Sequence, residues 1–506
     1  MLISTTTALA QQRSAKRGMC WDENNQPLTD APLQKMAPGV SWIYNWGISP
    51  QGPATLLNVP DGIVFAPMCW NGDFNETALR NYLSTLDPQS STLNPSILLG
   101  FNEPNLVWNV GGSQMTPQQA ANAWPAVKQV AQDYGLQLVA PALNFSGDQV
   151  GGRVWTPFQW YDEFFRLLAE AGVDPAIDYL AFHSYMNWYS AVNWVASEYF
   201  YTDKETSDLF APTNKALYPH LVQYLESYKE AHGQFPRMYL TEFCSWEGDK
   251  DGYVSSVDSQ IDQMTQKVQK LEQSDLVAGY AWFMGDTSQA PSVYPYNSVF
   301  QSNTPSSELS DLGRVYVYMS SFDTEKFYVP GEQIVAKDYI DASMDGQQAR
   351  VRPNTETASD IPLQVEWKSS AWTAYQVDLP ADGDYTLTLH IKSTADNKFR
   401  IYREALGAAN KKLDTTLAST GGAWADVTTT VTLQAGRQTL LLYNMGTTSI
   451  FVSSLRFDAD PTGIGATFND NVEMINGNVV YDLSGRRVEH PTKGIYIING
   501  RRVVVK

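Results

Sequence analysis

Between residue 17 and about residue 300, short apolar runs alternate with longer segments of helical periodicity, and few architectures accept that alternation. A strand that returns parallel to its neighbour needs a crossover of a dozen or more residues, usually a helix, so the pattern specifies parallel βα units rather than hairpins. Eight apolar runs occur: Arg17 to Trp21, Val40 to Tyr44, Gly62 to Met68, Ser96 to Phe101, Leu136 to Ala142, Tyr179 to His183, Arg237 to Glu242 and Ala278 to Phe283. The clearest intervening helix opens at Thr116-Pro117, a capping residue followed by proline in the first turn. It carries Ala120, Val127, Val130 and Tyr134 near one face and stops at Gly135. Eight strands in this span fit a (β/α)₈ TIM barrel.

After about residue 325 the texture changes to period-two strands with Gly/Asp turns, as in YQVDLPADGDYTLTLHI and WADVTTTVTLQAGRQTLLLYN, which reads as an antiparallel β-sandwich of jelly-roll type. Residues 458 to 470 resemble a linker, and the tail holds three short β runs separated by SGR, PTKG and NGR turns. The chain is therefore expected to divide into a terminal remnant at 1–16, a barrel at 17–322, a sandwich at 323–458, and a linker with a small C-terminal β domain at 459–506.

Composition narrows the partners. Lys and Arg number 35 against 54 Asp and Glu, a net charge of −19, and such a chain repels polyanions instead of releasing counterions from them, which argues against nucleic acid. No run reaches the ~18 apolar residues of a membrane-spanning helix. The three cysteines, Cys20, Cys69 and Cys244, form no C-x-x-C pair, so neither a zinc knuckle nor a disulfide scaffold is encoded, and no metal or other cofactor is expected. All three fall at strand ends, where small-residue packing is the default reading and a disulfide the alternative. Ala8-Leu9-Ala10 looks like a signal-peptidase site after an apolar stretch too short to be a whole signal, so it reads as the tail of an export signal, against the alternative of a disordered cytosolic terminus. A secreted or cell-surface monomer is expected.

In a parallel barrel, side chains placed where a strand runs into its βα loop converge on one face. Glu103 follows the run ILLGF, and Glu242 ends the run MYLTEF; by strand count they belong to the fourth and seventh strands and face each other across the mouth. Cleaving a glycosidic bond needs such a pair, one carboxylic acid to protonate the leaving oxygen and one carboxylate to attack or support the oxocarbenium-like centre. A single Glu at a strand end is more often a loop anchor; two in this relation are much less easily a coincidence. Asn102, directly before Glu103, is where retaining barrels hold the sugar 2-hydroxyl, although Asn is also an ordinary turn residue.

Aromatic rings suit the C–H faces of pyranoses, and 12 of the 15 tryptophans precede residue 300. Trp21, Trp46, Trp70, Trp188, Trp246 and Trp282 sit beyond strand ends; all but Trp21 are candidate sugar contacts, with plain packing as the alternative for any one of them. Tyr185 follows the sixth strand, where it can hydrogen-bond the nucleophile. His183 beside it is a site candidate or a satisfied structural group.

Residues 17 to about 300 resemble glycoside hydrolase family 128, through KRGMCWD, SWIYNWG, GFNEPN, the APALN run, DYLAFHSYMNW, MYLTEFCSWEG and YAWFMG, in that order. The resemblance implies an endo-β-1,3-glucanase working by double displacement, with Glu103 as acid/base and Glu242 as nucleophile. The alternatives are a barrel of the same clan acting on β-1,4-linked mannan, xylan or glucan, or a non-catalytic glycan-binding surface protein. The sandwich is similar to a family 6 carbohydrate-binding module through Trp372 to Tyr375, the GDY turn, TGGAW and FVSSLRF, but Phe451 stands where that family places a ligand-binding Asn. The tail VVYDLSGRRV…KGIYIINGRRVVVK is similar to the C-terminal sorting domains of Bacteroidota, which implies export.

Overall fold

A computed structural model describes residues 12–23, 27–50, 63–86, 96–187, 215–246, 254–285, 295–304, 306–344, 346, 348–459, 467–468, 480–482, 486–488, 494–498 and 501–505. The signal-like Ala8-Leu9-Ala10 and Trp188 lie outside the described residues. Contacts divide the chain into two units, one made of residues 12–322 with 351–353, the other of 323–350, 354–506 and 1–11.

In the first unit each of the eight apolar runs carries a parallel strand: β1 (Arg17–Cys20), β2 (Trp42–Tyr44), β3 (Val64–Phe65), β4 (Ile97–Leu99), β5 (Gln137–Val139), β6 (Tyr179–Ser184), β7 (Arg237–Phe243) and β8 (Val277–Trp282). Their order across the sheet is β3-β2-β1-β8-β7-β6-β5-β4, so neighbours in sequence are neighbours in space and β8 lies beside β1. Just past β3, Met68 forms a parallel bridge with Leu99 of β4. The sheet is thus barrel-like, and its inward residues, among them Cys20, Tyr44, Met68, Leu99, Val139, Ala181 and Ala281, pack into one apolar cluster.

The helices between the strands are α1 (Asp30–Met36), α2 (Glu76–Thr85), α3 (Pro117–Tyr134), α4 (Pro157–Glu170), α5 (Pro219–His232), α6 (Val257–Gln273) and α7 (Asp311–Tyr318). Local sequence explains α3: the Thr116 hydroxyl accepts from Gln119 N while the Gln119 side chain reaches back to the Thr116 backbone, and Gly135 ends the helix in the left-handed region at φ 65°. Its buried face is Ala120, Ala121, Trp124, Val127, Val130 and Ala131; Tyr134 lies at the edge and donates to Arg80 O. Thr156 caps α4 in the same way. On β1, the Arg17 guanidinium is buried, pairs with Glu272 and donates to the carbonyls of Tyr316 and Ser320, which fastens the end of this unit back to its first strand. Removing one partner of such a buried pair costs about 3–5 kcal/mol.

The second unit contains two antiparallel sheets. One runs β11 (Leu363–Trp367), β18 (Ile450–Ala459), β13 (Gly383–Lys392), β16 (Ala425–Leu433), with β9 (Ile334–Val335) also on β18; the other runs β10 (Asp341–Ala342), β12 (Trp372–Leu379), β17 (Gly436–Asn444), β14 (Asn397–Arg403), β15 (Lys411–Leu417). On β13, Tyr385, Leu387, Leu389 and Ile391 are buried and the residues between them are not, which is the period-two pattern of a half-buried strand. Trp367 of one sheet stacks on Phe399 of the other. In the tail, β19 (Thr467–Phe468), β20 (Val480–Asp482), β21 (Gly494–Ile498) and β22 (Arg501–Val505) form a small sheet in the order β19-β22-β21-β20.

Candidate active site

The lateral register of the parallel strands brings the polar groups into one row. Asn144, in the short strand Leu143–Asn144, is in register with His183 of β6, and His183 is in register with Glu242 of β7. A register shift between Leu240 and Glu242 inserts one extra residue, Thr241, into β7. Such a bulge re-aims side chains locally. It lets Glu242 stand level with His183 while the Thr241 hydroxyl meets His183 Nε2 at 2.9 Å.

Glu103 enters the row from the loop after β4. Its backbone sits at φ +41°, a region costly for a residue with a side chain. Hydrogen bonds hold it there: Glu103 N donates to Ala142 O at 2.8 Å and Leu106 N to Glu103 O at 2.9 Å. Asn105 is fully buried and clamps Asn144, its Nδ2 donating to Asn144 O and its Oδ1 accepting from Asn144 N. Asn144 Nδ2 then donates to Glu103 Oε1 at 2.7 Å.

His183 lies between the two carboxylates, Nδ1 at 2.8 Å from Glu103 Oε1 and 3.3 Å from Glu242 Oε2. One oxygen or nitrogen of each of Glu103, His183 and Glu242 lies within 4.8 Å of the others. Burial opposes the imidazole charge, but Glu242 and Glu103 outweigh it and hold the His183 pKa above its ordinary value.

Glu242 is buried at the end of a cluster of donors. Trp46 Nε1 donates to its Oε1 at 2.7 Å, Tyr44 hydroxyl to the same oxygen at 3.3 Å, and Tyr185 hydroxyl to Oε2. Trp46, like Glu103, has a left-handed backbone, at φ 60°. Burial lifts the Glu242 pKa above the ordinary carboxylate range. His183 pulls it down, Glu103 pushes it up, and the hydrogen bonds from Tyr185 and Trp46 pull it down. Trp46→Phe should therefore raise that pKa further and, if Glu242 acts as an anion, move the acid limb of kcat/KM to higher pH; a pH–rate profile with an unmoved acid limb would refute the coupling.

The aromatic candidates separate. Trp246 is 39 % exposed and its ring tilts against Tyr185 at 5.3 Å; Trp70 is half-buried and meets the 67 % exposed Trp108 edge to face at 4.9 Å. Trp282 does not reach the mouth: it is fully buried, packs against Phe243 and Tyr316 and donates to Asn297 O, so its place as a sugar contact is corrected to the core. Phe283, one residue on, instead faces Trp46 and Tyr185. The Nδ2 of Asn102 donates to Gly111 O, while its buried Oδ1 has no partner among the described residues. Tyr44, Asn105, Asn144, Thr241 and Trp108 were not singled out in the sequence. Tyr44 and Asn144 stand inside SWIYNWG and APALN, but nothing in those motifs tells a ligand of the carboxylates from a packing residue. All three cysteines are buried thiols outside any disulfide.

Residues 18–206 and 214–316 match the glycosyl hydrolase catalytic core family model. The chain belongs to this family. It is a glycoside hydrolase, and the row from Glu103 to Glu242 lies within the matched residues. Among solved structures, an endo-β-1,3-glucanase of glycoside hydrolase family 128, subgroup II, from Pseudomonas viridiflava is 31 % identical, covering 61 % of this chain and 98 % of that one, with a TM-score of 0.43. A second subgroup II endo-β-1,3-glucanase, from Sorangium cellulosum, is 27 % identical and covers 60 % of this chain and 98 % of that one, with a TM-score of 0.40. The C-terminal family 6 carbohydrate-binding module of a marine laminarinase from Zobellia galactanivorans is 21 % identical over 25 % of this hydrolase and 97 % of that chain, with a TM-score of 0.21. No curated protein matches the chain.

Proposed function

We propose that the chain is a secreted, retaining endo-β-1,3-glucanase on a closed (β/α)₈ barrel, with Glu103 as acid/base and Glu242 as nucleophile. The observation that carries this reading is the approach of the two carboxylates, with oxygens within 4.8 Å of each other. Retaining enzymes hold their carboxyl groups about 5–5.5 Å apart so that one can bond to the anomeric carbon, whereas inverting ones leave roughly 6.5–9.5 Å for a water.

The donors around Glu242 suit the same role. They orient an anionic oxygen toward one face of the sugar and replace the water it has lost. Asn102, directly before Glu103, stands where retaining barrels hold the sugar 2-hydroxyl, an interaction that strengthens as the anomeric carbon becomes cationic. The β-1,3 linkage rests on the ordered motifs of family 128 and accords with the activity named for the Pseudomonas viridiflava enzyme. Export rests on the signal-like N-terminus and the sorting-like tail; among the described residues no helix is long and apolar enough to cross a membrane. The sandwich is proposed as a domain like a carbohydrate-binding module, with a structural role as the alternative to glycan binding.

Proton NMR of laminarin digestion tests the central claim. The first new reducing ends should be β-anomers, which then mutarotate. An α-anomer appearing first would replace retention by inversion, and no cleavage of laminarin alongside cleavage of a β-1,4-linked mannan, xylan or glucan would move the substrate class.

A further inference from the structure

Helix α6, which follows the strand carrying Glu242, buries a polar stripe beside its apolar face of Ile261, Met264, Val268 and Leu271. Gln260 is fully buried and exchanges two hydrogen bonds with Ser245, its Oε1 accepting from Ser245 N and its Nε2 donating to Ser245 O. Gln263, one turn on, accepts from the Ser245 hydroxyl at 2.7 Å. Lys267, the next turn, is fully buried, and its Nζ donates to Met186 O at 2.6 Å, Cys244 O at 2.8 Å and Ser245 Oγ at 2.8 Å. No carboxylate among the described residues pairs with it.

A buried lysine without a counter-ion is expensive, and helix packing alone would favour leucine or methionine there. What Lys267 grips accounts for its presence. Met186 follows Tyr185, whose hydroxyl bonds Glu242, and Cys244 lies two residues after Glu242 itself. Trp246 N donates to Tyr185 O at 3.0 Å, tying the same two segments a second time. Three N–H groups meet three oxygens drawn from the ends of β6 and β7, so the ammonium sets the spacing between the strand that carries Tyr185 and the strand that carries Glu242. Burial pushes the amine down to about 7, against an opposing effect of Cys244, so the full set of three donors is present below neutrality.

We propose that Lys267 is a positioning residue for the nucleophile: it clamps the ends of β6 and β7 so that Tyr185 and Glu242 keep their hydrogen bond during attack. This rests on the retaining reading given above.

The test is made at pH 6 on the full chain. Competent sites are counted with 2,4-dinitrophenyl 2-deoxy-2-fluoro-β-laminaribioside: as a Glu242 oxygen bonds to the anomeric carbon, the bond to dinitrophenolate breaks, and one phenolate leaves per labelled site. Lys267→Met should still label close to one site per chain, while kcat on laminarin per labelled site falls by about tenfold or more and KM stays within roughly twofold. Lys267→Gln, which keeps two N–H donors, should recover part of the loss and carries the test if the Met variant fails to fold. Wild-type kcat per labelled site in either variant would overturn the proposal and reduce Lys267 to an anchor for the fold. Absence of label on Glu242 in the wild-type enzyme would instead overturn the retaining reading, and the positioning role with it.

Discussion

Glu242→Ala should reduce laminarin hydrolysis by at least about 10⁴-fold, some 5 kcal/mol of transition-state stabilisation, and azide should restore turnover. The reason lies in what surrounds this carboxylate. Trp46, Tyr44 and Tyr185 all aim donors at it, which is an arrangement for holding an anion where positive charge develops at the anomeric carbon. Removing the carboxylate leaves a space on the α face of a β-linked sugar. Azide can fill that space, bond to the anomeric carbon as the bond to the leaving oxygen breaks, and depart as an α-glycosyl azide, with Glu103 still supplying the proton. The product's anomeric configuration decides the assignment: a β-glycosyl azide, or wild-type turnover without azide, removes Glu242 from the nucleophile's role. Thermal unfolding should shift by less than about 2 °C, about 1 kcal/mol or less for a catalytic unit of this size, so the loss reports chemistry instead of folding.

The sequence made the parallel strands legible, since each of the eight apolar runs carries one, and it showed the cap of α3 down to Thr116 and Gly135. These features are local, set by periodicity and by the chemistry of helix ends. The row through Asn144, His183 and Glu242 was not legible, because it depends on register between strands far apart in sequence and on a bulge at Thr241 that changes which residue faces inward. The same limit explains Trp282. Near a strand end a one-residue difference moves a side chain to the other face, and the structure gives the outward position to Trp282 and the mouth to Phe283. Asn105 shows the limit from another side: nothing in the sequence of NEPN marks its second Asn, yet it is fully buried and braces the backbone of the residue that holds Glu103.

The same geometry gives Glu103 a different signature. Its Oε1 accepts from Asn144 Nδ2 and lies 2.8 Å from His183 Nδ1, whose ring also faces Glu242, so two neighbours fix the orientation of this carboxyl group. If Glu103 donates the proton that glycoside cleavage needs, Glu103→Ala should be severe only where the leaving group needs help. Laminarin, which leaves as a sugar alkoxide, should lose about 10²–10⁴-fold in kcat/KM, whereas a 2,4-dinitrophenyl β-laminarioside, whose leaving group needs no proton, should lose far less. The second half-reaction also suffers, because Glu103 must take a proton from the attacking water. The glycosyl-enzyme on Glu242 should therefore accumulate, visible as a burst of dinitrophenolate. Azide needs no base, and it should shorten that delay by attacking from the side Glu103 has vacated, releasing a β-glycosyl azide, opposite in configuration to the product from Glu242→Ala. Equal losses on both substrates, with no burst and no β-azide, would remove Glu103 from the acid/base role and leave it as a loop anchor held in a strained backbone.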